Sequence, residues 1–179
     1  MKRLFFVTGL PGVGKTTVLL RTADALKAEG YDVRGMISRE IREQGTRVGF
    51  EIVNLYTGQK GWLAHVEQPS GPQVGKYRVN LDDLKNIGVN SVLDAITKAD
   101  VIVVDEIGPM ELFSQEFKDA ILKAIESTKP VLGTIHFKAQ NPIVNTIKAR
   151  NDVEILEVTN KNRQTMHNLV TTKILGVIS

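Results

Sequence analysis

The chain contains no cysteine in 179 residues, which removes disulfides, thiol nucleophiles and thiolate metal sites together. A reducing compartment fits this, and the expected location is cytoplasmic. No apolar run approaches the roughly 18 residues of a membrane span, so no membrane is expected as a partner. Met1-Lys2-Arg3 has the charge of a signal n-region, but only about five apolar residues follow, short of an h-region of about 7–15. That run reads instead as a buried strand. Long stretches of one charge are also missing. The net charge of +3 comes from 23 Lys and Arg interspersed with 20 Asp and Glu, leaving room for a nucleic-acid or protein partner without indicating one. There is no internal repeat, low-complexity tract or linker, and residues 1–179 are expected to form one domain.

What is present begins at the amino end. Leu4-Phe5-Phe6-Val7-Thr8 runs into Gly9-Leu10-Pro11-Gly12-Val13-Gly14-Lys15-Thr16, a complete G-x-x-x-x-G-K-[ST] pattern, followed by Thr17. In such a loop successive backbone N–H groups wrap a phosphate, and glycine permits the close approach and the torsions this needs. Lys15 supplies a compact charge for the β- and γ-oxygens, and Thr16 a hydroxyl for Mg²⁺. The segment from Thr17 to Lys27 has apolar Val18, Leu19, Ala23 and Leu26 at helical spacing, so the helix would aim its positive end at the phosphates.

Beyond Gly30 the pattern predicts a strand over 31–38, and strand-like runs over 48–56 and 62–66 joined by Thr57-Gly58-Gln59-Lys60-Gly61 as an antiparallel hairpin insertion. Residues 68–75 read as a loop. Asn80 is placed to cap a helix at Leu81, and a second helix is expected from about 91 to 98. Val101 to Val104 is continuously apolar, as a strand covered on both faces should be. Helices over 115–127, 143–149 and 163–175 alternate with strands over 131–135 and 153–158. The expected fold is a three-layer α/β architecture with a mainly parallel sheet and ligands at its carboxyl edge.

The strand at Val101 ends in Asp105-Glu106, and acids at the tip of a buried strand are expensive unless something requires them. Asp105 is placed to hold Mg²⁺ directly or through water beside Thr16. Glu106 would polarise an attacking water. Asp105-Glu106-Ile107-Gly108 also fits the D-x-x-G element of guanine-nucleotide hydrolases. The base-reading N-K-x-D motif, however, has only Asn160-Lys161-Asn162-Arg163 as a counterpart, without its aspartate, so broad base tolerance is expected.

Other candidates are less determined. Glu111 is either an acid behind the metal or a helix N-terminal carboxylate. Thr134 and His136 end the next strand and would sense the γ-phosphate if that strand lies between the loop strand and the Asp105 strand. Arg163 could reach the transferred phosphoryl group from a lid. Arg39, Arg42 and Arg47 are weaker counterparts, and Trp62 and Tyr77 read as packing.

Taken together, these segments resemble the thermophile-type nucleoside-triphosphatase family, which has a human cancer-related relative. The resemblance spans nearly the whole chain. It rests on the phosphate loop, Arg47-Val48-Gly49-Phe50, Val74 to Asn80, Val104-Asp105-Glu106-Ile107-Gly108-Pro109-Met110-Glu111-Leu112-Phe113, and Asn162-Arg163. It implies a RecA-like core and slow, metal-dependent hydrolysis of several nucleoside triphosphates. Pro109, where lysine is common, and Gln164, where an acid is common, depart from the family pattern.

The expected reaction is Mg²⁺-dependent hydrolysis of the β–γ bond of ATP, GTP, CTP, UTP and TTP. Two rivals remain: a nucleotide or small-molecule kinase taking its acceptor in the hairpin region, and a nucleotide-dependent switch acting on nucleic acid or protein.

Overall fold

The computed structural model describes every residue except Phe137 and Ser179. Nine strands form one mixed sheet. They are β1 (Leu4–Thr8), β2 (Val33–Glu43), β3 (Thr46–Asn54), β4 (Lys60–His65), β5 (Gln73–Val74), β6 (Tyr77–Val79), β7 (Val101–Ile107), β8 (Val131–Ile135) and β9 (Val153–Glu157). Their order across the sheet is β5-β6-β4-β3-β2-β7-β8-β1-β9. The run β2-β7-β8-β1-β9 is parallel, and β2 to β6 continue it as antiparallel hairpins. One strand, β8, separates the phosphate-loop strand β1 from the acidic strand β7, the RecA-like order the resemblance implies.

Alternation within the apolar strands explains why both faces are covered. Leu4, Phe6, Ile102 and Val104 pack on one face, against α3 (Asn90–Lys98), α4 (Gln115–Glu126) and α5 (Pro142–Lys148). Phe5, Val7, Val101 and Val103 pack on the other, against α1 (Lys15–Ala28) and α6 (Met166–Ile178). Each such side chain contributes roughly 1.5–3 kcal/mol on burial. Close strand packing also dictates a glycine: a Cβ on Gly133 of β8 would lie 2.7 Å from Phe6 Cε1 and 2.8 Å from Val104 O. Phe6 therefore lies against β8 at a position without a side chain.

Two local expectations change. The helices expected at Leu81 and Ser91 are continuous. Asn80 Oδ1 accepts from Asp83 N at 2.9 Å, α2 (Leu81–Asp83) leads into a π-helical turn at Leu84–Val89, and this passes directly into α3. The wider turn buries Leu84, Ile87, Gly88 and Val89 in succession, with Gly88 tight against Ile52 and Met36. The loop expected over 68–75 contains β5, which pairs with β6 as Val74 to Tyr77 across Gly75-Lys76. Gly75, at φ 58°, takes the left-handed torsion this tight turn requires.

Candidate functional site

The carboxyl ends of β1, β7 and β8 meet in one place, and the residues there form a connected set. Gly9 leaves β1 with φ 155°, and a side chain at this position would lie 2.6 Å from Val158 O, so the chain passes tightly under the end of β9. Gly12 and Gly14 turn the loop with φ of 78° and 111°. Val13 N donates to Leu10 O at 3.2 Å. Lys15 Nζ folds back to Gly9 O at 3.0 Å, which holds its charge over the loop. Thr17, next on α1, is exposed.

Thr16 Oγ1 donates to Asp105 Oδ2 at 2.8 Å across 89 residues of chain. The other carboxylate oxygen, Oδ1, accepts Thr134 Oγ1 at 2.6 Å, and Ser38 N approaches Oδ2 at 3.4 Å. Asp105 is 2% exposed. Burial pushes its carboxyl above the usual range, opposed by the bonds from Thr134, Thr16 and Ser38 and by the charge of Lys15. Glu106, half-buried beside it, is raised to about 7, by burial first and then by Asp105, with Lys15 acting against the rise. The peptide joining the two acids is cis.

Glu111 lies in a 3₁₀ turn, Glu111–Phe113, and is 3% exposed. A Cβ on Gly108 would be 3.4 Å from both Glu106 Cδ and Glu111 Oε2, so the two carboxyls are close neighbours. Burial raises Glu111 well above its ordinary range, with the charge of Glu106 adding to it. Glu111 is the acidic residue in the first turn of that short 3₁₀ segment, and the backbone N–H groups of Glu111 and Gly108 act against its rise. Helix α4 is capped by Ser114, whose Oγ accepts from Phe117 N at 3.0 Å.

Thr134 is fully buried on β8, between β1 and β7, and its hydroxyl donates to Asp105. His136 follows β8, its N bonded to Ile107 O at 3.3 Å. Burial first, and then the charges of Lys15 and Lys138, lower its pKa. Arg163 reaches the loop from the opposite side: a Cβ on Gly14 would lie 4.0 Å from its Cδ. Asn162 fixes the approach by accepting Thr159 N at 2.8 Å and donating to Glu157 O at 2.9 Å. The guanidinium of Arg163 is exposed and has no hydrogen bond or ion pair among the described residues.

The weaker candidates separate. Arg47 bonds Tyr77 Oη at 2.8 Å and Glu40 at 3.2 Å, and Arg42 pairs with Glu40, so both are committed inside the hairpins. Trp62 packs edge-on to His65. Two contributors escaped sequence reasoning. Ser38 acts through its backbone N–H, which has no side-chain signature, and Thr8 Oγ1 ties β1 to β8 by donating to Ile135 O at 3.0 Å.

The donor set suits magnesium. A hydroxyl and a carboxylate are hard oxygen ligands, and Thr16 and Asp105 already lie within one hydrogen bond of each other. Among the described residues no group of three or more His, Cys, Asp or Glu could hold an ion by itself. Further ligands would therefore come from phosphate and water, as is usual for this ion. No helix among the described residues is long and apolar enough to cross a membrane.

Comparison with known proteins agrees with this geometry. A family model described as NTPase matches residues 4–171. The nucleoside-triphosphatase THEP1 of Thermofilum pendens is 44% identical over 176 residues, which is 98% of this chain and 97% of the relative. The solution structure of a human cancer-related nucleoside triphosphatase superposes with a TM-score of 0.83 at 33% identity, covering 98% of both chains. The crystal structure of THEP1 from the hyperthermophile Aquifex aeolicus gives a TM-score of 0.83 at 28% identity over 96% of this chain and 98% of that one.

Proposed function

This chain belongs to the nucleoside-triphosphatase family, and we propose that its reaction is hydrolysis of the β–γ anhydride of nucleoside triphosphates, in the cytoplasm, with magnesium and broad base tolerance. The observation that carries the reading is the 2.8 Å bond from Thr16 to Asp105, which joins the phosphate loop to the acidic strand tip at a single point.

On this reading the loop N–H groups from Gly9 to Thr17 and the Lys15 ammonium bind the polyphosphate. Thr16 and Asp105 would hold magnesium, which would offset the negative charge of the polyphosphate. Thr134 and Ser38 fix Asp105 in place. Glu106 accepts a proton from water as the water oxygen bonds to the γ-phosphorus and the bond to the bridging oxygen breaks, releasing the diphosphate. Arg163, exposed beside Gly14 and without a side-chain partner among the described residues, is available to the charge that develops on the transferred group. Glu111 keeps the neighbourhood of Glu106 acidic and closed to bulk water.

Base tolerance follows from the segment 160–163, which lacks the carboxylate that would read guanine. Steady-state phosphate release from ATP, GTP, CTP, UTP and TTP, and from the diphosphates, with and without Mg²⁺, tests the proposal. Comparable rates on all triphosphates, none on diphosphates and none without metal are expected. Release confined to one base, or undiminished by chelation, overturns it.

A further inference from the structure

Beside the acidic tip lies a cavity of about 350 Å³ between the loop that follows β7 and the loop that follows β8. The first wall is Pro109, Leu112 and Phe113, from the segment that also carries Glu106 and Glu111. The second includes Lys138, Gln140 and Asn141. Hydrolysis as derived above uses none of these side chains. Phe113 is 51% exposed and lines this cavity, so its ring is open to a ligand there.

The lining chemistry is specific in kind. Phe113 with Pro109 and Leu112 offers an apolar surface for a flat ring. The Gln140 amide has no hydrogen bond among the described residues. Asn141 uses its Oδ1 to cap α5, accepting Ile143 N at 3.0 Å, which leaves its NH₂ able to donate. Lys138 puts a cation on the same wall. A ring face, two amides for a polar ring edge and one cation describe a heterocycle carrying a single anionic group. The volume falls at the small end of ligand pockets, about 300–1,000 Å³, which suits one ring system and one phosphate better than a polyphosphate. His136, also in the lining, donates its backbone N–H to Ile107 O at 3.3 Å, on the strand end that carries Asp105 and Glu106, so the cavity adjoins the acidic tip.

We propose that this cavity is a second ligand pocket, distinct from the phosphate loop, that takes a nucleoside monophosphate with its base on Phe113 and its phosphate toward Lys138. The proposal rests on the hydrolase reading only in that the phosphate loop is taken to hold the triphosphate.

The test is isothermal titration of the full chain with AMP, GMP, CMP and UMP, each with and without a saturating non-hydrolysable triphosphate analogue whose own affinity is measured first. At least one monophosphate is expected to bind at one saturable site with the analogue present. Phe113→Ala should weaken that binding by about tenfold, within the range for base–aromatic stacking. Lys138→Gln should weaken it too, while both variants keep the wild-type affinity for the analogue. The proposal is overturned if no monophosphate binds in either condition, if the monophosphates displace the analogue, or if either variant binds them as the wild type does. Failure of the analogue to bind would count against the hydrolase reading instead, and the titrations without analogue still report on the cavity.

Discussion

Thr134 Oγ1 lies 2.6 Å from Asp105 Oδ1 at a fully buried position, so a neighbouring strand and not the nucleotide supports the carboxylate from beneath. Replacing Thr134 by valine keeps the shape but leaves one oxygen of a buried carboxylate without its donor, a loss of about 1–3 kcal/mol. We expect a lower melting temperature and a higher Mg²⁺ concentration for half-maximal phosphate release. Serine at the same position, which retains the hydroxyl, should restore most of both. Unchanged metal dependence in the valine variant would mean that this bond does not orient Asp105.

Legibility in the sequence divides along the same line. That Lys15, Thr16 and Asp105 lie together was readable because a fixed glycine-lysine-threonine spacing and an acid at the tip of a buried strand are patterns the sequence displays directly. The Val101 strand was readable because burial on both faces removes polar residues altogether. Ser38 was not, since it acts through a backbone N–H that any residue but proline would supply. The sequence suggests a phosphate-facing role for Thr134, but not the bond from its hydroxyl to Asp105, which depends on the strand order. The β5–β6 hairpin escaped because strands of two and three residues are too short to display alternation. The π turn escaped because a slipped hydrogen-bond pattern leaves the apolar spacing almost unaltered.

Lys15 and Glu106 separate binding from chemistry. Removing the Lys15 ammonium takes away the lysine charge folded over the loop, so Lys15→Ala should lose triphosphate binding as read by a fluorescent analogue. Glu106→Gln preserves size and removes the proton acceptor. It should bind the analogue like wild type and lose about 10²–10⁴ in turnover. Normal hydrolysis by the glutamine variant would show that the base lies elsewhere.

Arg163 offers a different signature because it is exposed and its guanidinium has no partner among the described residues. A side chain that meets only the transition state should affect kcat and leave KM nearly untouched. Arg163→Ala is therefore expected to lower kcat without moving the melting temperature, and lysine should recover only part of the rate, since a point charge cannot reproduce the planar fork. The loss should stay well below the 10³–10⁵ of a fully engaged arginine finger if the loop carrying Arg163 closes only part of the time. A rise in KM alone would instead assign Arg163 to ground-state binding.

Away from the site, Asp152 ties the start of β9 to that of β1. Its carboxylate meets Arg150 at 2.8 and 3.0 Å and Arg3 at 3.0 Å. Arg150 first, and Arg3 with it, holds the Asp152 carboxyl below its ordinary value. A depressed folded-state pKa means that the unfolded chain takes up the proton first as the solution is acidified. The stabilisation is therefore complete above the unfolded value of about 3.9 and disappears as pH falls through the lower folded value. Asp152→Asn should lower the urea midpoint at pH 7 by an amount equivalent to about 1 kcal/mol, as for a partly exposed ion pair. The gap between the two proteins should be constant from neutrality to about pH 5 and close in stronger acid. A gap that persists unchanged at pH 2 would assign the effect to lost hydrogen bonds, because only the charged carboxylate loses its advantage when protons are supplied.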